Sequence, residues 1–132
     1  MRVLMETDHA LVGCDEENKT VMVIWSGLAD IDEFTHVYNN VLRSFKIYFV
    51  NRLVNDFTGF TNFNPEQIDF LLEKVFPIAY KCGMRSLINV GQQFGIVEGL
   101  TENAESIFTS AGKKISIQAT QDLNQALQKI NA

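Results

Sequence analysis

Proline, cysteine and histidine each occur only twice in the 132 residues, and tryptophan once. So little proline excludes collagen-like and proline-rich extended chains. Cys14 and Cys82 stand far apart. Neither has a second Cys or a His at ligand spacing, which excludes a disulfide framework and a zinc site. No apolar run approaches the ~20 residues needed to cross a bilayer, so no integral membrane segment is expected. Positive charge is scarce as well, with 11 Lys and Arg against 16 Asp and Glu and a net charge of −5. A nucleic-acid partner is therefore not expected, because no basic stripe offsets the acidic field. The densest basic group, Lys113-Lys114, reads as solvated turn charge.

What is abundant is apolar. Hydrophobic residues make up 46% of the chain and ten of them are Phe. A chain of this length buries about two-thirds of its unfolded surface, enough for one domain over residues 1–132 with no staple and no cofactor. The opening Met1-Arg2-Val3-Leu4-Met5-Glu6-Thr7-Asp8 lacks the apolar stretch of a signal peptide, and with the unpaired cysteines this sets the expectation of a cytoplasmic protein.

Periodicity gives the architecture. Residues 10–14 and 20–25 are short apolar runs around the polar turn 15–19, a hairpin whose second strand lies inside a sheet. Asp30 with Glu33 three residues on is a capping-box start for a helix with Ile31, Phe34, Val37, Tyr38, Val41, Leu42 and Phe45 on one face. Residues 52–57 read as a strand and 58–64 as a loop. Asn64-Pro65 then starts a helix, which Pro77 should kink or break near Val75-Phe76 and Gly83 should close. A strand over 85–90, a loop over 91–99, a helix over 100–111, a strand over 114–119 and a helix capped by Thr120 complete the chain. The predicted fold is α/β, a single mixed five-stranded sheet with helices packed against it. Its order is β-β-α-β-α-β-α-β-α, largely parallel, with the hairpin adding an antiparallel edge.

Catalytic signals are sparse. His36 has Asp32 four residues before it, the spacing of a surface pair on a helix. Cys82 ends a helix and lacks the electropositive setting of a reactive thiolate. Gly91-Gln92-Gln93-Phe94-Gly95 lacks the Lys-Ser/Thr ending of a P-loop, so it reads as a turn. Were the chain an enzyme, Cys82 and Asp56 would be the nominal candidates. The richest segment is 56–65, which leaves the carboxyl end of an inner strand and enters a helix, where α/β sheets commonly bind ligands. Its Phe57, Phe60 and Phe63 either cover the end of the core or form, with Phe94, an apolar pocket or contact surface. On the second reading, Asp56, Phe57, Thr58, Phe60, Phe63 and Phe94 are the candidate binding residues, and serine at Phe60 and Phe63 leaves the fold intact. Thr58 and Thr61 suit cap or turn roles.

The hairpin His9-Ala10-Leu11-Val12 with Asp15-Glu16-Glu17-Asn18 and Val23-Ile24-Trp25-Ser26-Gly27 carries a family likeness, as does the strand end Leu53-Val54-Asn55-Asp56-Phe57-Thr58-Gly59-Phe60. So do Phe76-Pro77-Ile78-Ala79-Tyr80-Lys81-Cys82-Gly83 and Ala119-Thr120-Gln121-Asp122-Leu123-Asn124-Gln125-Ala126-Leu127. With these, residues 8–131 resemble the STAS-like domains of the bacterial anti-sigma-factor antagonist superfamily, most closely their STAS/CRAL-TRIO-like branch. In the antagonists a phosphorylatable serine follows an Asp at the helix start after this strand. Here those positions hold Pro65 and Asn64, so the resemblance implies a domain without the phosphorylation switch. It implies a non-catalytic binding or regulatory module, acting on a protein partner, a second copy or a small apolar ligand at the strand-end loops. The alternative is a carrier of a lipid or hydrophobic metabolite in an internal pocket.

Overall fold

The computed structural model describes residues 1–92 and 95–131. Its strands are β1 (Arg2–Glu6), β2 (Ala10–Asp15), β3 (Thr20–Gly27), β4 (Arg52–Phe60), β5 (Ser86–Val90) and β6 (Ser116–Thr120). Its helices are α1 (Ile31–Tyr48), α2 (Pro65–Phe70), α3 (Phe76–Lys81), α4 (Ile96–Ser110) and α5 (Leu123–Asn131). The expected α/β class holds, but the sheet has six strands rather than five, in the order β1-β2-β3-β4-β5-β6. The additional strand, β1, lies antiparallel outside the predicted hairpin, so β2 is not an edge. From β3 to β6 every pairing is parallel. Single-helix crossovers of one hand then place α1, α2–α3 and α4 on the same side of the sheet. The larger core lies there, and α5 covers a smaller one built on Met22, Val54, Ile88 and Val90.

Local chemistry explains the ends of these elements. Asp30 caps α1 by accepting the Glu33 N–H at 2.8 Å. Asn64 and Gln67 cap α2 reciprocally, with Pro65 at the first helical position where its missing donor is harmless. Pro77 does not break the rod. A π-helical turn over Leu71–Val75, in which the Phe76 N–H reaches the Leu71 carbonyl, inserts the extra residue that lets the helix continue past it. Asp122, rather than Thr120, supplies the cap for α5, accepting the Gln125 N–H at 2.9 Å. β4 also runs three residues into the predicted loop. Gly59 makes this pairing close, since a Cβ there would meet the Trp25 carbonyl oxygen at 3.1 Å.

A line of buried polar groups crosses the larger core. Trp25 Nε1 donates to Tyr38 Oη (3.2 Å), Tyr38 Oη to Asn55 Oδ1 (2.7 Å), and Asn55 Nδ2 to Asn89 Oδ1 (3.1 Å). Asn89 Nδ2 then donates to Thr101 Oγ1 (3.2 Å), whose hydroxyl donates to the Val97 carbonyl (2.8 Å). β3, α1, β4, β5 and α4 are thereby joined by donors all pointing one way. Burial pushes the Tyr38 phenol upward, so it stays a neutral donor.

Candidate functional site at the strand ends

The rings of the strand-end loop lie inside the protein. Phe57, Phe60 and Phe63 are buried together with Trp25 and Phe34. Phe57 stacks on Phe63 with centroids 4.6 Å apart, Phe60 lies 5.0 Å from Trp25, and Phe34 lies 5.0 Å from Trp25. Rings at these separations are in contact and close the end of the core. Of the two roles the sequence left open for them, this is the geometry of a core cover. Asp56 projects from the opposite, α5-facing side of the sheet, where Oδ1 accepts the Thr58 N–H at 2.9 Å at the register shift in the β3–β4 pairing. Thr58 is exposed. Phe94 lies outside the described residues. Gly91 is a packing glycine, since a Cβ there would meet Val97 Cγ2 at 2.7 Å.

Because the rings turn inward, the polar residues of the same loop turn outward. Asn62 and Asn64 line a cleft of about 540 Å³ between the starts of α1 and α2, faced across by Leu28, Asp30, Ile31 and Glu66. Gln67 holds the two framing loops together: its side chain exchanges bonds with the Asn64 cap, and Nε2 donates to the Ala29 carbonyl at 2.9 Å.

The far wall is a clasp that joins the turn after β1 to α1. Glu33 Oε2 accepts from Thr7 Oγ1 (2.7 Å) and from the His9 N–H (3.0 Å), and Oε1 lies 2.7 Å from His9 Nδ1. The bond to Glu33 raises the His9 pKa, ahead of the desolvation that opposes it. Burial pushes Glu33 upward, but its bonds from Thr7 and His9 outweigh this and hold its carboxyl below the ordinary value. The stabilisation from His9 is thus complete below the unfolded value of 6.5 and is lost as pH rises through the higher folded value. That from Glu33 is present above 4.5 and is lost as pH falls through the lower folded value. The clasp is therefore strongest between these two unfolded values. The melting temperature is expected to decline above pH 6.5 in the parent, and His9→Gln is expected to lose that decline. A parent whose melting temperature is flat from there upward would refute the assignment.

His36 has a charged neighbour at helical spacing, whereas the partner of His9 lies 24 residues away and no local spacing reveals it. Among the described residues the ion pairs are Arg2–Glu16 and His9–Glu33, so Asp32 and His36 do not pair. Among the same residues no group of His, Cys, Asp or Glu is arranged to hold a metal ion, and no helix is long and apolar enough to cross a membrane. Cys14 is buried and Cys82 half-buried, both as free thiols.

The class the fold establishes is a mixed α/β domain with a polar cleft at the carboxyl ends of β3 and β4. No protein-family model matches the chain, and no curated protein matches it.

Proposed function

We propose that the chain is a non-catalytic, STAS-like binding module that engages a protein partner through the loops framing the strand-end cleft, without a phosphorylation switch. The observation that carries this is the construction of the cleft. Its backbone is held rigidly by Asp30, Asn64 and Gln67, while Leu28 remains 57% exposed on its rim. Preorganised loops around an exposed apolar side chain and a polar wall suit recognition of a protein surface. Pro65, at the start of α2, has no hydroxyl to phosphorylate. A lipid carrier would need hollow volume, and the aromatic rings fill the strand end instead.

Site-specific photo-crosslinking in the native cells tests the proposal. Benzoylphenylalanine in place of Leu28 is expected to give a discrete protein adduct. The same group in place of the exposed Gln128 on α5 is expected to give none. Equal or absent labelling at the two positions would overturn it.

A further inference from the structure

The two ends of the parallel strands carry opposite charge. Where the strands begin and the helices end stand Arg2, Lys19, Lys46, Arg52 and Arg85. Asp8, Asp30, Glu33, Glu66 and Asp122 stand at the other end. Backbone bonds tie the segment that joins α1 to β4 to the residues that begin β3, β4 and β5. The Asn51 and Arg52 N–H groups bond the Lys19 carbonyl, the Arg85 N–H bonds the Asn51 carbonyl, and Arg2 lies over the Tyr48 ring. The β2–β3 turn supplies the acidic exceptions at this end, Asp15, Glu16 and Glu17. Asp15 is engaged by Asn18 and Glu16 by Arg2.

Phe49 projects from the centre of this basic end. It is 83% exposed, and Ile47 beside it is 55% exposed. Phe49 also ends α1 in the left-handed region, at φ 53° and ψ 40°, a position where glycine is the ordinary choice and a bulky ring is strained. A strained aromatic ring that its own fold leaves in solvent favours the reading of a contact residue. The opposite end offers its complement. The strand-end cleft, of about 540 Å³, has Asp8, Asp30 and Glu66 around apolar Leu28 and Ile31, with no lysine or arginine in its lining.

Resting on the proposed binding role of this cleft, we infer that its partner is a second copy of this chain. The Phe49 knob of one copy enters the cleft of the next, and its Lys46 and Lys19 face Asp8 and Glu66. Knob and cleft lie at opposite ends of the strands, so the contact is heterologous and repeats head to tail rather than closing as a two-fold dimer. Charge on both surfaces makes the association weaken with salt.

Sedimentation velocity tests this. At low ionic strength the weight-average sedimentation coefficient is expected to rise with concentration up to about 1 mM, the range of weak contacts. It is expected to return to the monomer value in about 0.5 M salt. Phe49→Asn, a residue at home in the left-handed region, removes the knob without straining the backbone. Asp8→Lys/Glu66→Lys reverses the cleft at two exposed positions. Each variant alone is expected to stay monomeric with native Trp25 fluorescence. Mixed in equal amounts they should form dimers and nothing larger, because one intact knob and one intact cleft remain. A monomeric parent, undiminished assembly of Phe49→Asn, or a mixture that stays monomeric would overturn the inference. The adduct formed from position 28 separates this failure from that of the broader proposal. A crosslink to another protein leaves the binding role standing and removes self-recognition, whereas a crosslink to Phe49 supports both.

Discussion

Phe60→Ser is expected to lower the stability of the fold by about 4–6 kcal/mol, combining the loss of a fully buried ring with the burial of a hydroxyl. Phe60 lies 5.0 Å from Trp25, 6.0 Å from Phe34, 6.2 Å from Phe57 and 5.6 Å from Phe63, so its removal opens a hole that four rings cannot fill without leaving their rotamers. A domain of this size has only about 5–15 kcal/mol in total, and the variant should approach the unfolding threshold. Were the strand-end rings a surface device, the same substitution would leave the fold intact. Trp25, the one tryptophan, sits in the cluster and reports on it directly. Its fluorescence in a urea titration should show the Phe60→Ser midpoint far below the parent. Leu28→Ser, on the exposed cleft rim, should move the midpoint by no more than about 0.5 kcal/mol equivalent. Coincident curves for Phe60→Ser and the parent would refute the core-closing role.

The elements that announced themselves in the sequence were those with a strong local rule. The Asp30 cap, the Asn64-Pro65 start and the place where Pro77 disturbs its helix depend on neighbours within a few residues, and they stand where the spacing put them. β1 depends on no such rule. Its Leu4 and Met5 are only half-buried, and they pack against the larger core, so Arg2–Glu6 has no complete apolar face to mark it. The end of β4 was hidden because Thr58-Gly59-Phe60 has the composition of a turn, and pairing with Ser26 and Gly27 decides it. The strand-end loop was recognisable as unusual, yet its three Phe could not reveal their direction. Orientation follows from the fold around them, with Phe34 arriving from α1 and Trp25 from β3. The His9–Glu33 clasp and the charged ends needed tertiary proximity in the same way.

Asn55→Ala is the second change with a large expected effect, about 3–5 kcal/mol, although Asn55 contributes no apolar surface. Its side chain is the middle of the polar line through the core, accepting from Tyr38 and donating to Asn89, and it is fully buried. Its removal leaves the Tyr38 hydroxyl without its acceptor and Asn89 Oδ1 without its donor, and each unpaired buried group costs about 1–3 kcal/mol. Backbone pairing of Asn55 opposite Asn89 is untouched, so the loss measures the side-chain line rather than the sheet. Exchange of the Trp25 Nε1 proton, whose acceptor is Tyr38, should accelerate in Asn55→Ala, because the Tyr38 hydroxyl is then free to reorient. Tyr38→Phe alone should also destabilise, by about 2–4 kcal/mol, since it strands Asn55 Oδ1 and Trp25 Nε1. Combined with Asn55→Ala, its cost should fall well below the sum, because the hydroxyl it removes no longer has a partner to lose. Strict additivity between the two would mean that the bonds act independently and that the line is no more than a row of separate contacts. Coupling of about 1 kcal/mol or more would mark it as one unit that holds α1 and α4 to a single register of β4 and β5.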